Sequence, residues 1–236
     1  DAKLAAAALL EKLGNAKTNA NVRSPELARR LKETPFDSTV YPHTDGLLDP
    51  RDVINTLEGV IPTDYDFVSG NGHSAFWHAV MRGAAPANYH ATRGFGAIGN
   101  AFPFAIGIAA TRKNGRVVLF EGDGGLIMHI QELESLKREK TKLLVICLND
   151  AAFGAEIHKL REEGVDDKGV VFGFPPFEQI AKGFGLRGAT VTDVKQFPAL
   201  MKEYEAGDTA MIWDVRISDQ IMAPNMRDDV GYGKKK

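Results

Sequence analysis

The sequence has few of the features that mark secreted or membrane proteins. Among 236 residues there is one cysteine, Cys147, so no disulfide can form within the chain. It lies in an apolar strand-like run, which predicts a buried, unreactive thiol and fits a reducing cytoplasm. No apolar run approaches the ~20 residues that a membrane-spanning helix needs. The start, Asp1–Leu4, has neither Met nor a signal-peptide segment, so we expect a fragment or a split subunit located in the cytoplasm.

The sequence also has no large excess of either positive or negative charge. The chain has 29 basic and 31 acidic residues and a formal net charge of −2. This balance provides no basic field for nucleic acid, which we therefore exclude as a partner. With 44% hydrophobic and 25% charged residues, the composition is that of a globular protein with one substantial core.

The pattern of secondary-structure signals in the sequence changes near residue 49. Residues 2–13 are rich in Ala and Leu and predict a short helix, whereas residues 33–48 carry Pro35, Pro42 and Gly46 without an apolar period and predict a linker. From Asp49 onward, helix and strand signals alternate. We therefore expect an appendage over residues 1–48 and one domain over residues 49–236.

The alternation in the second part predicts the fold class. It is typical of an α/β protein with a doubly wound, mostly parallel sheet of about six strands and helices on both faces. The predicted strands are Tyr65–Val68, Asn88–Ala91, Val117–Glu121, Leu143–Leu148, Ala189–Val191 and Met211–Ile217.

Two loops that follow neighbouring predicted strands carry the strongest functional signal. Gly122-Asp123-Gly124-Gly125 follows one strand, and the segment 149–154, Asn-Asp-Ala-Ala-Phe-Gly, follows the next. Both should emerge at the carboxyl edge of a parallel sheet and face one pocket. Asp123 provides a carboxylate oxygen, Asn149 an amide oxygen and Ala151 a backbone carbonyl, which is an oxygen set suited to Mg²⁺. The glycines leave backbone N–H groups accessible to phosphate oxygens.

These segments resemble a known enzyme family. Gly122-Asp123-Gly124, followed by Asn149 26 residues after the aspartate, is similar to the metal and diphosphate motif of thiamine-diphosphate enzymes. The glycine-rich stretch 94–103 and the stretch 128–133 resemble the segments that accompany that motif. The resemblance covers roughly residues 49–225. It is closest to the C-terminal, diphosphate-binding domain of the acetolactate synthase, pyruvate oxidase and benzaldehyde lyase group.

The resemblance implies a role for each of several residues. Gly96 would offer its carbonyl to the 4′-amino group of the cofactor, and Ile98 would support the cofactor in its bent shape. His73 would donate to a diphosphate oxygen, and Glu156 would relay protons at the reacting carbon, unless it is only an exposed residue of a first helical turn. The implied cofactor-binding set is Gly72, His73, Gly96, Ile98, Gly122, Asp123, Gly124, Gly125, Asn149, Ala151, Phe153 and Gly154, with Asp123, Asn149 and Ala151 also binding Mg²⁺.

The resemblance further implies a decarboxylase or carboligase that acts on a 2-keto acid, similar to acetolactate synthase. A lyase that cleaves a 2-hydroxyacyl or acyloin bond remains an alternative. Family enzymes ionise the cofactor with a glutamate from a pyrimidine-binding domain, usually on another subunit, and this chain has no such domain. We therefore expect an incomplete active site, a pyrimidine-binding partner segment or subunit, and a homodimer or homotetramer.

Two other hypotheses compete with an enzyme of this family. Gly94, Gly96 and Gly99 satisfy the dinucleotide-binding spacing, and Glu121 falls about 20 residues later, as an NAD-dependent oxidoreductase requires. However, residues 86–93 are too polar for the buried strand that should precede such a turn. A non-catalytic cofactor-binding module would share the metal motif and remains open.

Overall fold

Six short strands form one sheet in the part of the chain that the structure describes. The computed structural model describes residues 1–14, 16, 24–42, 44–81 and 86–230. The strands are β1 Asp66–Ser69, β2 Tyr89–Ala91, β3 Val117–Gly122, β4 Leu144–Asn149, β5 Arg187–Val191 and β6 Met211–Arg216. Their order is β2-β1-β3-β4-β6-β5, and all neighbours are parallel. The predicted α/β class with a parallel sheet is confirmed.

Helices connect the strands. Within the described residues they are α1 Ala2–Leu13, α2 Pro25–Glu33, α3 Pro50–Val60, α4 His73–His78, α5 Ala101–Arg112, α6 Asp123–Met128, α7 Glu132–Arg138, α8 Gly154–Glu163, α9 Phe177–Gly183, α10 Phe197–Ala206 and α11 Pro224–Val230. None of these helices combines the length and the apolar composition needed to cross a membrane.

The chain divides into two units, Asp1–Ser38 and Thr39–Lys236. In the first unit, Asp1 caps α1 by accepting from the N–H groups of Lys3 and Leu4, and Ser24 caps α2 by accepting from Leu27 N–H. Neither helix has a buried residue. The division falls after Ser38, whereas the sequence analysis places the boundary after residue 48.

Part of the expected boundary segment belongs to the second unit. Leu48 pairs with the end of β6, because its N–H donates to Arg216 O and its carbonyl accepts from Ser218 N–H. Those bonds form an isolated parallel bridge between Leu48 and Ile217, just beyond the end of β6. They hold the chain in place where α3 begins. Asp49 then caps α3 through Arg51 N–H at 2.8 Å.

One predicted helix is wrong. After the predicted strand Val117–Glu121, the sequence predicts a single helix that ends at about Arg138. The structure instead has two helices, α6 and α7, with a turn between them. His129 leaves helical geometry at φ −126°, and the N–H groups of His129 and Ile130 donate to the carbonyls three residues earlier. Such tight bonds end a helix by satisfying its last carbonyls.

The core lies on both faces of the sheet. Side chains alternate along each strand, so Val117 and Leu119 pack under α5, α7 and α9, while Val118 and Phe120 face the opposite side. Phe120 stacks on His78 of α4 with ring centroids 4.1 Å apart. Burial on both faces explains why the central strands are continuous apolar runs rather than alternating ones.

The strand order creates a crevice at one point of the sheet. From β1 the chain moves outward to β2 and then returns past β1 to β3. Loops after β1 and β3 therefore diverge to opposite faces at their carboxyl ends, which is the position where open α/β sheets bind ligands.

Candidate active site

A cavity of about 270 Å³ opens at this crevice. It is lined by the loops that follow β1, β3 and β4 and by the start of α8. Nine of the residues named from the sequence line it: Gly72, His73, Ile98, Gly122, Asp123, Gly124, Gly125, Phe153 and Gly154, together with Glu156 at its rim. The structure thus brings most of the candidate residues to one place.

Asp123 is held rigidly at the cavity. It is the first residue of α6 and only 1% exposed. One carboxylate oxygen, Oδ1, accepts from Gly124 N–H at 2.8 Å, and Oδ2 accepts from Ala152 N–H at 3.2 Å. Burial raises the pKa of Asp123 well above its usual range, and the nearby charge of Asp150 raises it further. A cation placed beside these two carboxyl groups would stabilise their charged forms, and so oppose both the cost of burial and the repulsion between them.

Asn149 does not offer its side chain to the cavity, contrary to the expected ligand role. Its Nδ2 donates to Asp214 Oδ1 at 2.7 Å, and its Oδ1 accepts from Ala151 N–H at 3.2 Å. As the last residue of β4 it shares a sheet face with Cys147 and with Asp214 on the neighbouring strand. The buried carboxylate of Asp214 holds the amide on the far side of the strand.

Ala151 also differs from the expectation. Its carbonyl accepts from the N–H groups of both Phe172 and Gly173, at 3.0 Å each, so both lone pairs are engaged. Its φ of 67° turns the chain sharply after β4. The residues on either side of it, Asp150 and Ala152, line the cavity instead.

Asp150, which the sequence analysis does not assign as a ligand, lines the cavity. It is 6% exposed, and burial raises the pKa of its carboxyl group. Strand alternation puts Asn149 and Asp150 on opposite faces, but both faces of β4 are buried, so alternation alone does not tell which of the two side chains faces the cavity. Among the described residues, no group of three or more His, Cys, Asp or Glu side chains is placed to hold a metal ion.

His73 contacts Asp150 rather than standing free at the cavity. Its Nδ1 is 3.3 Å from Asp150 Oδ2, and its Nε2 accepts from Ala223 N–H at 3.1 Å. The ring is 5% exposed, and burial lowers the pKa of His73 to about 3. The imidazole is neutral at physiological pH.

Two glycines are required by close approach. A Cβ on Gly154 would collide with the carboxylate of Asp150 and lie 2.9 Å from His73 Nδ1. A Cβ on Gly124 would lie 2.5 Å from the ring of Phe153. Real Cβ contacts are essentially never that short, so these positions keep the cavity floor open to backbone N–H groups.

The glycine-rich loop docks beside α6. Ile98 lines the cavity, and a Cβ on Gly99 would lie 2.8 Å from Gly125 O, so the loop rests directly on the helix backbone. Gly96 has φ of 80° and is exposed, and it does not line the cavity.

Glu156 lies in the first turn of α8 at the cavity rim. Its side chain is 52% exposed and pairs with Lys159 at 3.2 Å. It therefore has access both to the cavity and to solvent. Other cavity-lining residues that the sequence analysis did not assign are Asn71, Ser74, Leu148, Asp150, Ala152, Ala155 and Ile217.

The dinucleotide hypothesis is not supported by the position of Glu121. This side chain is fully buried, and its Oε1 accepts from Gly122 N–H at 3.1 Å. Burial raises the pKa of Glu121 to about 8. A Cβ on Gly70 or Gly125 would collide with its carboxyl group, so it is sealed between two loops and presents no oxygen to a ribose.

Comparison with known proteins places this geometry in context. Residues 70–215 match the family model described as thiamine pyrophosphate enzyme, C-terminal TPP binding domain. The chain is 28% identical over 211 residues to "Probable acetolactate synthase 2, chloroplastic" of Oryza sativa subsp. japonica, covering 83% of the chain and 31% of that protein. It is 25% identical over 182 residues to "Acetolactate synthase isozyme 2 large subunit" of Escherichia coli (strain K12), covering 76% of the chain and 33% of that protein.

A solved structure shows the same fold. The Rhodococcus jostii RHA1 thiamine diphosphate-dependent 4-hydroxybenzoylformate decarboxylase superposes with a TM-score of 0.67 at 24% identity, covering 77% of this chain and 35% of that one. The chain thus spans about a third of the length of these proteins. Because the family model matches more than half of the chain and spans the loops after β1, β3 and β4 that line the cavity, the chain belongs to the thiamine pyrophosphate enzymes, as a C-terminal TPP binding domain.

Proposed function

We propose that this chain is the diphosphate-binding part of a thiamine-diphosphate- and Mg²⁺-dependent enzyme that acts on a 2-keto acid. The observation that supports this most is the pair of buried carboxylates, Asp123 and Asp150, beside one glycine-lined cavity at the carboxyl ends of β3 and β4. Structural ion pairs do not account for them, because both groups are acidic and each raises the electrostatic cost of charging the other.

The donor set fits Mg²⁺. This ion takes oxygen ligands, is usually held by one or two carboxylates, and receives its remaining ligands from phosphates and water. We assign Asp123 and Asp150 as the side-chain ligands and the carbonyl of Ala152 as a backbone ligand. These replace Asn149 and Ala151, which do not line the cavity.

The residues around the ion suit a diphosphate. Gly72 has φ of 75°, and Gly124 and Gly154 lack the Cβ that would fill the space. The backbone N–H groups of Gly72 and Gly154 are short polar donors at the cavity wall. Gly124 N–H and the Ser74 hydroxyl, at the same wall, donate to Asp123 Oδ1 and Asn71 O. When bound, thiamine diphosphate supplies the carbon centre that stabilises negative charge during cleavage of a bond to a carbonyl carbon.

The chain's own residues would position the rest of the cofactor. Ile98 provides an apolar support at the cavity, and Gly96, at the open side of the same loop, would meet the pyrimidine ring. Glu156 would accept and return a proton at the rim, where its ion pair with Lys159 must open first. The ionising glutamate would come from a pyrimidine-binding partner segment or subunit in a homodimer or homotetramer, with residues 1–48 as the end of a preceding domain.

The names of the relatives support a proposal for the substrate class. Two of them are named acetolactate synthases, and the structural neighbour is named a decarboxylase of 4-hydroxybenzoylformate. Acetolactate-synthase-like decarboxylation and carboligation of a 2-keto acid is therefore our proposal. A lyase of the 2-hydroxyacyl or acyloin type is the second candidate, because a carboxylate at the position of Glu156 also serves protonation of a cleaved product.

Calorimetric titration tests this proposal on the chain as it is. Thiamine diphosphate should bind with Mg²⁺ present, and binding should weaken at least tenfold when EDTA removes the ion. NAD, titrated under the same conditions, is the control ligand and should give no heat of binding. Binding of NAD in preference to thiamine diphosphate would overturn the proposal.

A further inference from the structure

His73 connects two parts of the molecule that are far apart in sequence. The C-terminal segment, residues 218–226, follows β6 and returns over α4. Within it, Ala223 N–H donates to His73 Nε2 at 3.1 Å, and Asn225 Nδ2 donates to Phe76 O at 3.1 Å. The other ring nitrogen of His73, Nδ1, faces Asp150 Oδ2 at 3.3 Å. Both nitrogens are thus engaged.

The contact with Ala223 determines the tautomer of this imidazole. A backbone N–H can only donate, so Nε2 must be the unprotonated nitrogen. The proton of the neutral ring then lies on Nδ1, which donates to Asp150. Reversal of the tautomer would leave two donors facing each other at Ala223 and an acceptor facing the carboxylate.

Packing keeps the ring in this orientation. The imidazole lies 5.6 Å from the ring of Trp77 and 4.6 Å from that of His158, measured between centroids. Trp77 is fully buried and His158 is 4% exposed. Gly154 lies beside the contact between His73 and Asp150, and a Cβ on Gly154 would be 2.9 Å from His73 Nδ1. These three neighbours restrict rotation of the ring.

We propose that His73 is a positioning residue that orients Asp150 toward the cation, and that the C-terminal segment takes part in this by setting the tautomer of His73. The inference rests on the proposed function, because it takes Asp150 to be a metal ligand. The donated hydrogen bond engages Oδ2, so Oδ1 is the oxygen that we expect the cation to take. Partners that orient metal-binding side chains typically change metal affinity about 10- to 100-fold.

Two substitutions of His73 test the roles of its two ring nitrogens one at a time. In His73→Asn, the side-chain amide nitrogen can take the place of Nδ1 and still donate to Asp150, but the acceptor for Ala223 N–H is lost. In His73→Gln, the longer side chain can place its oxygen near Nε2 and accept from Ala223, but the donor to Asp150 is lost. A purely structural role predicts that Mn²⁺ affinity follows stability, so the variant that melts at the lower temperature would also bind Mn²⁺ more weakly.

The measurement is the dissociation constant of Mn²⁺, followed by electron paramagnetic resonance without and with thiamine diphosphate. We expect His73→Gln to weaken Mn²⁺ binding about tenfold or more, and His73→Asn to stay within about threefold of the unaltered chain. Thermal melting should show the reverse order, with the Asn variant the less stable. The control is His78→Asn, on the same helix and equally buried, whose ring nitrogens have no hydrogen-bond partner among the described residues. It should leave Mn²⁺ affinity unchanged.

Equal Mn²⁺ affinity in the Gln and Asn variants would overturn the inference. Nitrogen-15 NMR of the unaltered chain gives a second test that needs no variant: protonated Nδ1 and unprotonated Nε2 are expected for His73, and the opposite tautomer would refute it. Failure of the proposed function is distinguishable, since it would appear as absent binding of thiamine diphosphate in the unaltered chain, whatever the ranking of the variants with Mn²⁺.

Discussion

Replacing Gly154 by alanine tests the geometry of the cavity with one methyl group. Gly154 is the first residue of α8, and its φ is not in the left-handed region. Helix propensity alone therefore predicts that alanine stabilises the protein, by about 0.5–1 kcal/mol. The tertiary structure predicts the opposite, because the new Cβ would collide with the carboxylate of Asp150 and crowd His73 Nδ1.

The size of the effect follows from two opposing terms. Forcing a methyl group into a packed site costs about 1–3 kcal/mol, which exceeds the propensity gain of about 0.5–1 kcal/mol. We expect a net loss of roughly 1–2 kcal/mol in the free energy of unfolding. Asp150 can relieve the collision only by moving from its contact with His73, so Mg²⁺-dependent binding of thiamine diphosphate should weaken by at least tenfold.

Urea unfolding and calorimetric titration measure the two effects separately. Gly59→Ala is the matched control, because this glycine lies in α3 and a Cβ there meets nothing within 4 Å. It should stabilise the protein by about 0.5–1 kcal/mol and leave cofactor binding unchanged. A Gly154→Ala variant that is as stable as the original chain and binds the cofactor equally well would refute the reasoning.

Three further predictions concern single side chains. Asp123→Ala should abolish Mg²⁺-dependent retention of thiamine diphosphate in equilibrium dialysis; retention at the original level would remove its ligand role. Glu156→Gln, in an enzyme reconstituted with its partner, should lower turnover about 100-fold or more with near-normal cofactor affinity, whereas Glu163→Gln at the end of the same helix should not. Burial raises the pKa of Asp66, but hydrogen bonds from Arg112 and His90 outweigh it and hold the pKa below the usual 3.8. Its stabilising contribution is therefore complete above pH 3.8 and is lost as the pH falls through the lowered value. Urea midpoints of the original chain and Asp66→Asn should differ at pH 7 and converge in acid, and a gap that persists at low pH would contradict this.

Much of the fold could be predicted because its signals are local. The runs Val117–Glu121 and Leu143–Leu148 are apolar and β-branched, and they become β3 and β4 with ends shifted by one residue. The helix α10 was missed although its start is marked. Asp193 and Gln196 form a capping box just before it, and Pro198 stands at its second position. That signal was present in the sequence and would have placed the helix.

The candidate site was predicted in outline because its motif is a pair of loops whose residue types suit an ion and a phosphate. Asp123 and the glycines around it depend on the backbone of one short segment, so their spacing carries the information. The expected position of Asn149 at the cavity is not observed, for a different reason. Which of the two adjacent polar residues, Asn149 and Asp150, reaches the cavity depends on Asp214 of β6. Its carboxylate accepts a hydrogen bond from Asn149, although it lies 65 residues away along the chain.

The sequence by itself determined the succession of strands and helices, the two polar loops at strand ends and their oxygen-rich chemistry. These properties arise from periodicity, capping and turn residues, which act between residues close together in the chain. Only the tertiary structure decided the strand order that opens a crevice beside β3, the position of Asp150 rather than Asn149 at the cavity, and the link from Ala223 through His73 to Asp150. The donor and the acceptor of that last link lie 150 residues apart, and no local pattern encodes such a contact because it forms only when the sheet brings both segments to the same edge.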